Sequence, residues 1–201
     1  MRDRGWFIVL EGIDGSGKTT QLRLLASWLR EQEHEVVETR EPTDGVWGRR
    51  YRAWARGEFE ATAREVLEFF VEDRREHVAK LIRPALERGA VVLCDRYVAS
   101  TRAYQTADGV DPGLLDRSLD AAAFPEPDLT LWLRIPVSEA IARLGSDAKE
   151  RYERGSFLER VDAEYARMGL EPVDACGSTG TVLARLIERV SSLTDLAGAI
   201  P

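Results

Sequence analysis

The stretch Gly12-Ile13-Asp14-Gly15-Ser16-Gly17-Lys18-Thr19 sets glycines, a lysine and a hydroxyl at the spacing G-x-x-x-x-G-K-[ST]. The apolar run WFIVL precedes it and an amphipathic run follows. Gly12, Gly15 and Gly17 let the backbone around Ser16 turn successive N–H groups inward, as a cradle for phosphate oxygens. A helix beginning near Lys18 adds unpaired N–H groups and the positive end of its dipole. Lys18 can reach terminal phosphates and Thr19 offers a hydroxyl to Mg²⁺, with Asp14 and Thr20 at the flanks of the cradle. The stretch is expected to hold a nucleoside triphosphate with Mg²⁺. No N-K-x-D tetrapeptide, the guanine contact, occurs in the chain, so the triphosphate is read as ATP.

A second cluster follows another apolar run, where AVVLC leads into Asp95-Arg96-Tyr97. In an open parallel sheet the strand ends share one edge, and that edge is the ligand crevice. An aspartate there can join the Mg²⁺ shell or orient a second substrate, and an arginine can clamp a phosphate. Lys18, Asp95 and Arg96 are therefore candidate catalytic residues, with Thr19 and Asp95 as candidate metal ligands. These features alone fit a kinase, a switch or a motor.

Such residues must be carried by strands that end together. WFIVLEG, HEVVETR, AVVLCDR, DLTLWLRIP and LEPVDA read as strands, the apolar ones as buried and parallel. Helical patterns lie between them. Residues 19–31 place Leu22, Leu25, Trp28 and Leu29 on one face, and residues 62–88 form a long pattern closed by Gly89. Further helical patterns are GLLDRSLDAAAF, VSEAIARLGS, SFLERVDAEYARMG and TVLARLIERVSSLTDLAG. The alternation predicts an α/β fold of three layers, a P-loop NTPase type with a central parallel sheet flanked by helices. No linker divides the chain, so residues 1–201 are expected to form one domain.

Beyond the phosphate cradle, the run DRYVASTRAYQ resembles the D-R-[YH]-x-x-S-x-x-A-[YF] motif of thymidylate kinases, with Asp95, Arg96, Tyr97, Ser100, Ala103 and Tyr104 filling it. Thr39-Arg40-Glu41-Pro42 resembles the family's T-R-E-P, and Phe69-Phe70-Val71-Glu72-Asp73-Arg74 resembles its F-x-A-x-R helix segment, with Glu72 in place of the usual alanine. The resemblance implies transfer of the γ-phosphoryl of MgATP to dTMP, giving ADP and dTDP. It assigns Phe70 to stacking on thymine, Arg74 to base and phosphate, and Arg40, Glu41 and Pro42 to the neighbourhood of acceptor phosphate and sugar. Tyr104 falls under the sugar, where it disfavours a 2′-hydroxyl, and Thr101 and Gln105 fall at the base edge with Ser100 supporting the loop. The family also implies a homodimer packed through helices, for which the 62–88 helix offers a face. A kinase for another nucleotide or nucleoside, or a P-loop ATPase switch, is the competing reading.

The charged stretch 145–156 occupies the place of the family's lid over ATP, and Glu150-Arg151-Tyr152-Glu153 and Phe157-Leu158-Glu159-Arg160-Val161 match the segments that follow it. The phosphate cradle holds no arginine, so a catalytic cation is expected from Arg151, Arg143 or Lys149, in that order of preference except that Arg143 stands close behind Arg151. Asp14 and Glu153 are candidates to complete an acidic shell around Mg²⁺ or the acceptor sugar. Val173-Asp174-Ala175 resembles the family's stretch beside the adenine pocket.

Composition narrows the rest. A net charge of −7 argues against a broad nucleic-acid surface, and no segment reaches the length of a membrane span. Two cysteines, Cys94 and Cys176, do not suggest a disulfide framework, and the compartment is read as cytoplasmic. His34 and His77 are isolated in sequence and are expected at the surface or on a helix face. Trp6, Trp28 and Trp132 are expected in the core, while Arg49 and Arg52, in the basic aromatic run GVWGRRYRAWARG, are candidate phosphate contacts.

Overall fold

The computed structural model of the chain describes residues 4–144 and 155–193. Five parallel strands, β1 (Phe7–Glu11), β2 (Val36–Arg40), β3 (Val91–Asp95), β4 (Leu129–Arg134) and β5 (Glu171–Asp174), lie in the order β2-β3-β1-β4-β5. Neighbours pair Leu10 with Asp95, Arg40 with Asp95, and Glu11 with Trp132, so the carboxyl ends of β1, β2, β3 and β4 stand along one edge. This is why residues distant in sequence meet at the site.

The sheet is covered on both faces, as its unbroken apolar strands require. Side chains alternate along each strand. Ile8, Leu10, Val91 and Leu93 enter one large core, together with Leu22, Leu25 and Leu29 of α1 (Lys18–Glu31) and Val182, Leu186 and Val190 of α9 (Thr179–Ser191). Phe7, Val9, Val92 and Cys94 enter a second core on the opposite face. Trp132 is buried, and Trp6 and Trp28 pack half-buried against the first core.

The basic aromatic run forms a helix that the sequence reading left unassigned, α2 (Val46–Ala55). Its Tyr51, Trp54 and Ala55 are buried, whereas Arg49 and Arg50 stay exposed, which is an amphipathic division that mixed composition disguises. The 62–88 pattern is helical throughout but not uniform. Thr62 opens α3 (Ala63–His77) with a capping box to Glu65, a π-helical turn spans Val78–Ile82, and α4 (Arg83–Glu87) completes it. The run after Asp95 coils into α5 (Val98–Ala107), and α6 (Pro112–Asp120), α7 (Val137–Leu144) and α8 (Gly155–Arg167) make up the remainder.

Candidate active site

Between β1 and α1 the backbone follows the path that the glycine spacing implies. Gly15 has φ +83°, and a Cβ there would lie 2.3 Å from the carbonyl oxygen of Ala140, so only glycine fits. Gly17 caps α1 without a side-chain hydrogen bond, which leaves the first N–H groups of the helix open to an anion. These residues line a cavity of about 560 Å³ that includes Asp14, Ser16, Lys18, Thr19 and Thr20. Gly12 stands at the base of the loop, where its carbonyl accepts from Arg96 at 3.0 Å. Lys18 Nζ donates to the Ile13 carbonyl at 2.9 Å and to Ser16 Oγ at 3.4 Å. Burial, and then the nearby Arg96, push the Lys18 ammonium down to about 8 against the pull of Asp95 and Asp14. An anion arriving here stabilises the ammonium form.

Arg143, at the end of α7, also lines this cavity and is held by Glu139 at 2.7 Å and the Ala175 carbonyl at 3.2 Å. Ala175, Gly177, Thr179 and Val182 close the far side, where the sequence resemblance places adenine. Gln21 lines it as well and was not anticipated; its Nε2 reaches the Thr179 carbonyl at 3.0 Å. Arg151, Lys149 and Glu153 lie outside the described residues.

A second cavity, about 250 Å³, adjoins the first, and Asp14, Thr19, Asp95 and Arg96 line both. Arg96 is the hub of this seam. Its NH2 donates to Asp14 Oδ1 at 2.6 Å and to the Tyr104 hydroxyl at 3.1 Å, and its NH1 donates to Ser100 Oγ at 3.1 Å. Tyr104 in turn donates to Asp14 Oδ2 at 2.8 Å. Burial alone would raise the Asp14 carboxyl, but Arg96 and Lys18 outweigh it and hold the group below its usual value. Arg96 adopts φ +72°, a left-handed conformation that is strained for a side chain of this size and recurs at functional sites.

The second cavity is walled by the Glu41–Pro42 peptide, which is cis, together with Arg40, Tyr51, Arg52 and Phe70. The Phe70 ring stands 4.6 Å from that of Tyr51. Arg74 is 1 % exposed; its Nε donates to Glu41 Oε2 at 2.7 Å, its NH2 to Thr101 Oγ1 at 2.8 Å, and its NH1 is buried without a partner among the described residues. Ser100, Thr101 and Tyr104 complete the wall. Tyr51 and Tyr97 also line it, and sequence reasoning gave neither a role; the alternation of arginine and aromatic residues in α2 was the available signal for Tyr51. Gln105 does not line the cavity, being fully buried with both amide atoms unpartnered among the described residues.

His77 requires a correction. It lies on a helix face, at the end of α3, but not at the surface: it is buried between Glu41 and Thr39, contacts that its isolation in sequence concealed because they cross from α3 to β2 and the loop after it. Glu11 was also missed. Fully buried, its Oε1 accepts the N–H groups of Tyr97 and Ser100 at 2.8 and 3.1 Å, and its Oε2 accepts the hydroxyls of Ser100 and Tyr165 at 2.5 and 2.9 Å. It therefore ties the strand before the phosphate cradle to the start of α5 and to α8.

Thr19 Oγ1 donates to Asp95 Oδ2 at 2.6 Å, while Asp95 Oδ1 is buried and unpartnered among the described residues. Hard oxygens at the floor of a phosphate cavity suit Mg²⁺, which takes one or two protein ligands and fills its remaining positions with phosphate and water.

The thymidylate kinase family model matches residues 10–173. The chain is 39 % identical over 200 residues to the thymidylate kinase of Desulfotalea psychrophila, covering 96 % of this chain and 98 % of the relative. It is 48 % identical over 205 residues to that of Akkermansia muciniphila, covering 98 % and 97 %. The solved structure of a Candida albicans thymidylate kinase superposes with a TM-score of 0.84 at 24 % identity, covering 98 % of this chain and 95 % of that one, which bears on the fold.

Proposed function

The chain belongs to the thymidylate kinase family of nucleoside monophosphate kinases, and from that premise we propose that it transfers the γ-phosphoryl of MgATP to dTMP through the residues described above. One observation supports this reading most directly. A phosphate-cradling cavity and a smaller aromatic cavity meet at Asp14, Thr19, Asp95 and Arg96, as two nucleotides joined head to head through their phosphates require.

The donor triphosphate lies along the Gly15–Gly17 turn, against the open N–H groups at the start of α1, with Lys18 on its terminal phosphates. The acceptor lies across the seam, its base against Phe70 and its phosphate at Arg96. A phosphate oxygen of dTMP forms the new bond to the γ-phosphorus as the bond from that phosphorus to the β-phosphate oxygen breaks, so ADP leaves and no covalent enzyme intermediate arises. Catalysis then consists of alignment and charge neutralisation by Lys18, Arg96 and a cation over the donor, Arg143 among the described residues. Thr19 and Asp95 would hold Mg²⁺, which neutralises charge on the β- and γ-phosphates when bound. Tyr104 is fixed by Asp14 and Arg96, which supports the role the family resemblance gives it, disfavouring a 2′-hydroxyl.

The −7 net charge supports small-molecule partners rather than nucleic acid. No helix among the described residues is long and apolar enough to cross a membrane. The two cysteines, which suggest no disulfide framework, support a cytoplasmic reading. The family resemblance supports a homodimer. The function is tested by measuring ATP consumption with each nucleoside monophosphate in turn. dTMP should stimulate turnover most, and an ATPase switch would be indifferent to all of them.

A further inference from the structure

His77 ends α3 with its side chain 3 % exposed, held at both ring nitrogens. Nδ1 lies 2.9 Å from Glu41 Oε1 and Nε2 lies 2.6 Å from Thr39 Oγ1. A carboxylate oxygen accepts, so the ring donates its Nδ1–H to Glu41, while Nε2 pairs with the Thr39 hydroxyl. The other carboxylate oxygen of Glu41 takes Arg74 Nε at 2.7 Å. Glu41 is thus gripped from both sides. A carboxylate held at one oxygen alone keeps the broad terminal torsion of its side chain, whereas one held at both does not.

The consequence falls on Arg74. With Nε fixed by Glu41 and NH2 fixed by Thr101, the guanidinium plane is determined and NH1 remains the buried nitrogen with no protein partner among the described residues. The chain of contacts runs Thr39–His77–Glu41–Arg74–Thr101, linking β2, α3 and α5. Three of its five members line the acceptor cavity and none lines the donor cavity.

We propose that His77 is a positioning residue for the acceptor nucleotide, setting the plane of Arg74 through Glu41 while leaving the donor site untouched. The inference rests on the acceptor reading given above. It makes the Nδ1 hydrogen bond the functional one, with the contact between Nε2 and Thr39 anchoring the ring.

Two polar substitutions separate these contacts. The amide nitrogen of Asn stands two bonds from Cβ, as Nδ1 does, and that of Gln stands three bonds away, as Nε2 does. In steady-state assays varying dTMP and ATP separately, His77→Asn should keep the KM for dTMP within about threefold of wild type. His77→Gln should raise it about tenfold, the size of one lost hydrogen bond to a charged group. In both variants kcat and the KM for ATP should stay within about twofold. Equal effects of the two substitutions, the reverse ranking, or a matching change in the KM for ATP would overturn the inference. So would KM losses that track a fall in the unliganded melting temperature of both variants, which would assign His77 to packing alone. A wild-type chain without dTMP-dependent turnover would remove the acceptor reading itself. Wild-type turnover with two indifferent variants would remove only the role of His77.

Discussion

Arg96 and Asp14 stand 2.6 Å apart across the seam between the two cavities, joining the loop after β3 to the loop after β1. Their side chains are 15 % and 35 % exposed, so this is a partly desolvated pair rather than a surface contact. The guanidinium is also carried over the Tyr104 ring at 4.9 Å. A cation fixed in this way is already aimed when phosphate arrives, and its position need not be organised during the reaction.

Lys18 should give the donor site a pH dependence. Its ammonium is pushed down to about 8 in the folded protein, chiefly by burial, whereas the unfolded chain keeps its proton to about 10.4. Between those values the unfolded state binds more protons, so the stability of the ligand-free protein should rise with pH in that window. Triphosphate binding should take up a proton above about pH 8, and ATP affinity should weaken as pH rises from there. Titration calorimetry in buffers of differing ionisation enthalpy measures both. Lys18→Ala should abolish the proton uptake and lower kcat by orders of magnitude. An ATP affinity that is flat from pH 7 to about 9.5 in the wild type would exclude the shifted lysine.

dTMP should raise the melting temperature by mass action, and two variants should reduce that rise for different reasons. Phe70→Ala removes a ring from the acceptor wall, and Arg96→Ala removes the cation at the seam. The Arg96 effect should shrink in high salt, where charge is screened, while the Phe70 effect should persist. Thermal scans at millimolar dTMP showing no shift even in wild type would rule out the acceptor site.

Arg143 lines the donor cavity alongside Lys18 and Arg96, so Arg143→Ala should lower kcat and kcat/KM together with little change in dTMP affinity. The same assay on Arg151→Ala and Lys149→Ala ranks the three. Wild-type kcat in every single variant and in the triple variant would move the required charge to Arg96.

Glu11→Gln should be costly despite its similar shape. One oxygen becomes an N–H₂ group facing donors, in a place that is fully buried and receives four hydrogen bonds. A loss of about 2–3 kcal/mol in urea unfolding is expected, with a lower kcat because the strained loop carrying Arg96 loses its tether. A loss below about 0.5 kcal/mol would show that the network is dispensable.

The strands and the phosphate cradle were legible because their signals are local. A continuous apolar run ending in glycine, or a fixed spacing of Gly12, Gly15, Gly17, Lys18 and Thr19, is complete within a few residues. The DRYVASTRAYQ run supplied Arg96 and Tyr104 for the same reason, although not their shared partner Asp14, which lies more than 80 residues away. Long-range partners decided the buried polar residues that were missed. Glu11 looks like an ordinary charged residue at a strand end until its contacts with Ser100 and Tyr165, 89 and 154 residues on, are seen. His77 is similar, since burial was set by Glu41 and Thr39 rather than by its own neighbours. Gln105 shows the opposite case, because a local motif assigned it to the acceptor base, whereas in the fold it is fully buried and does not line the acceptor cavity.

The π-helical turn at Val78–Ile82 bears on how this chain tolerates changes in length. Such a turn accommodates one residue more than an α-helical turn while the flanking segments keep their facing. A single-residue deletion inside it should therefore tighten it to α-helix, with Arg74 and His77 before it and Ala85 and Leu86 after it still pointing as they do. The same deletion between Phe70 and Arg74 has no such slack. It would rotate Arg74 and His77 by about 100° relative to Phe70, taking either the ring or the guanidinium off the acceptor wall. Within one continuous helix, neighbouring positions thus differ sharply in the insertions and deletions they can absorb.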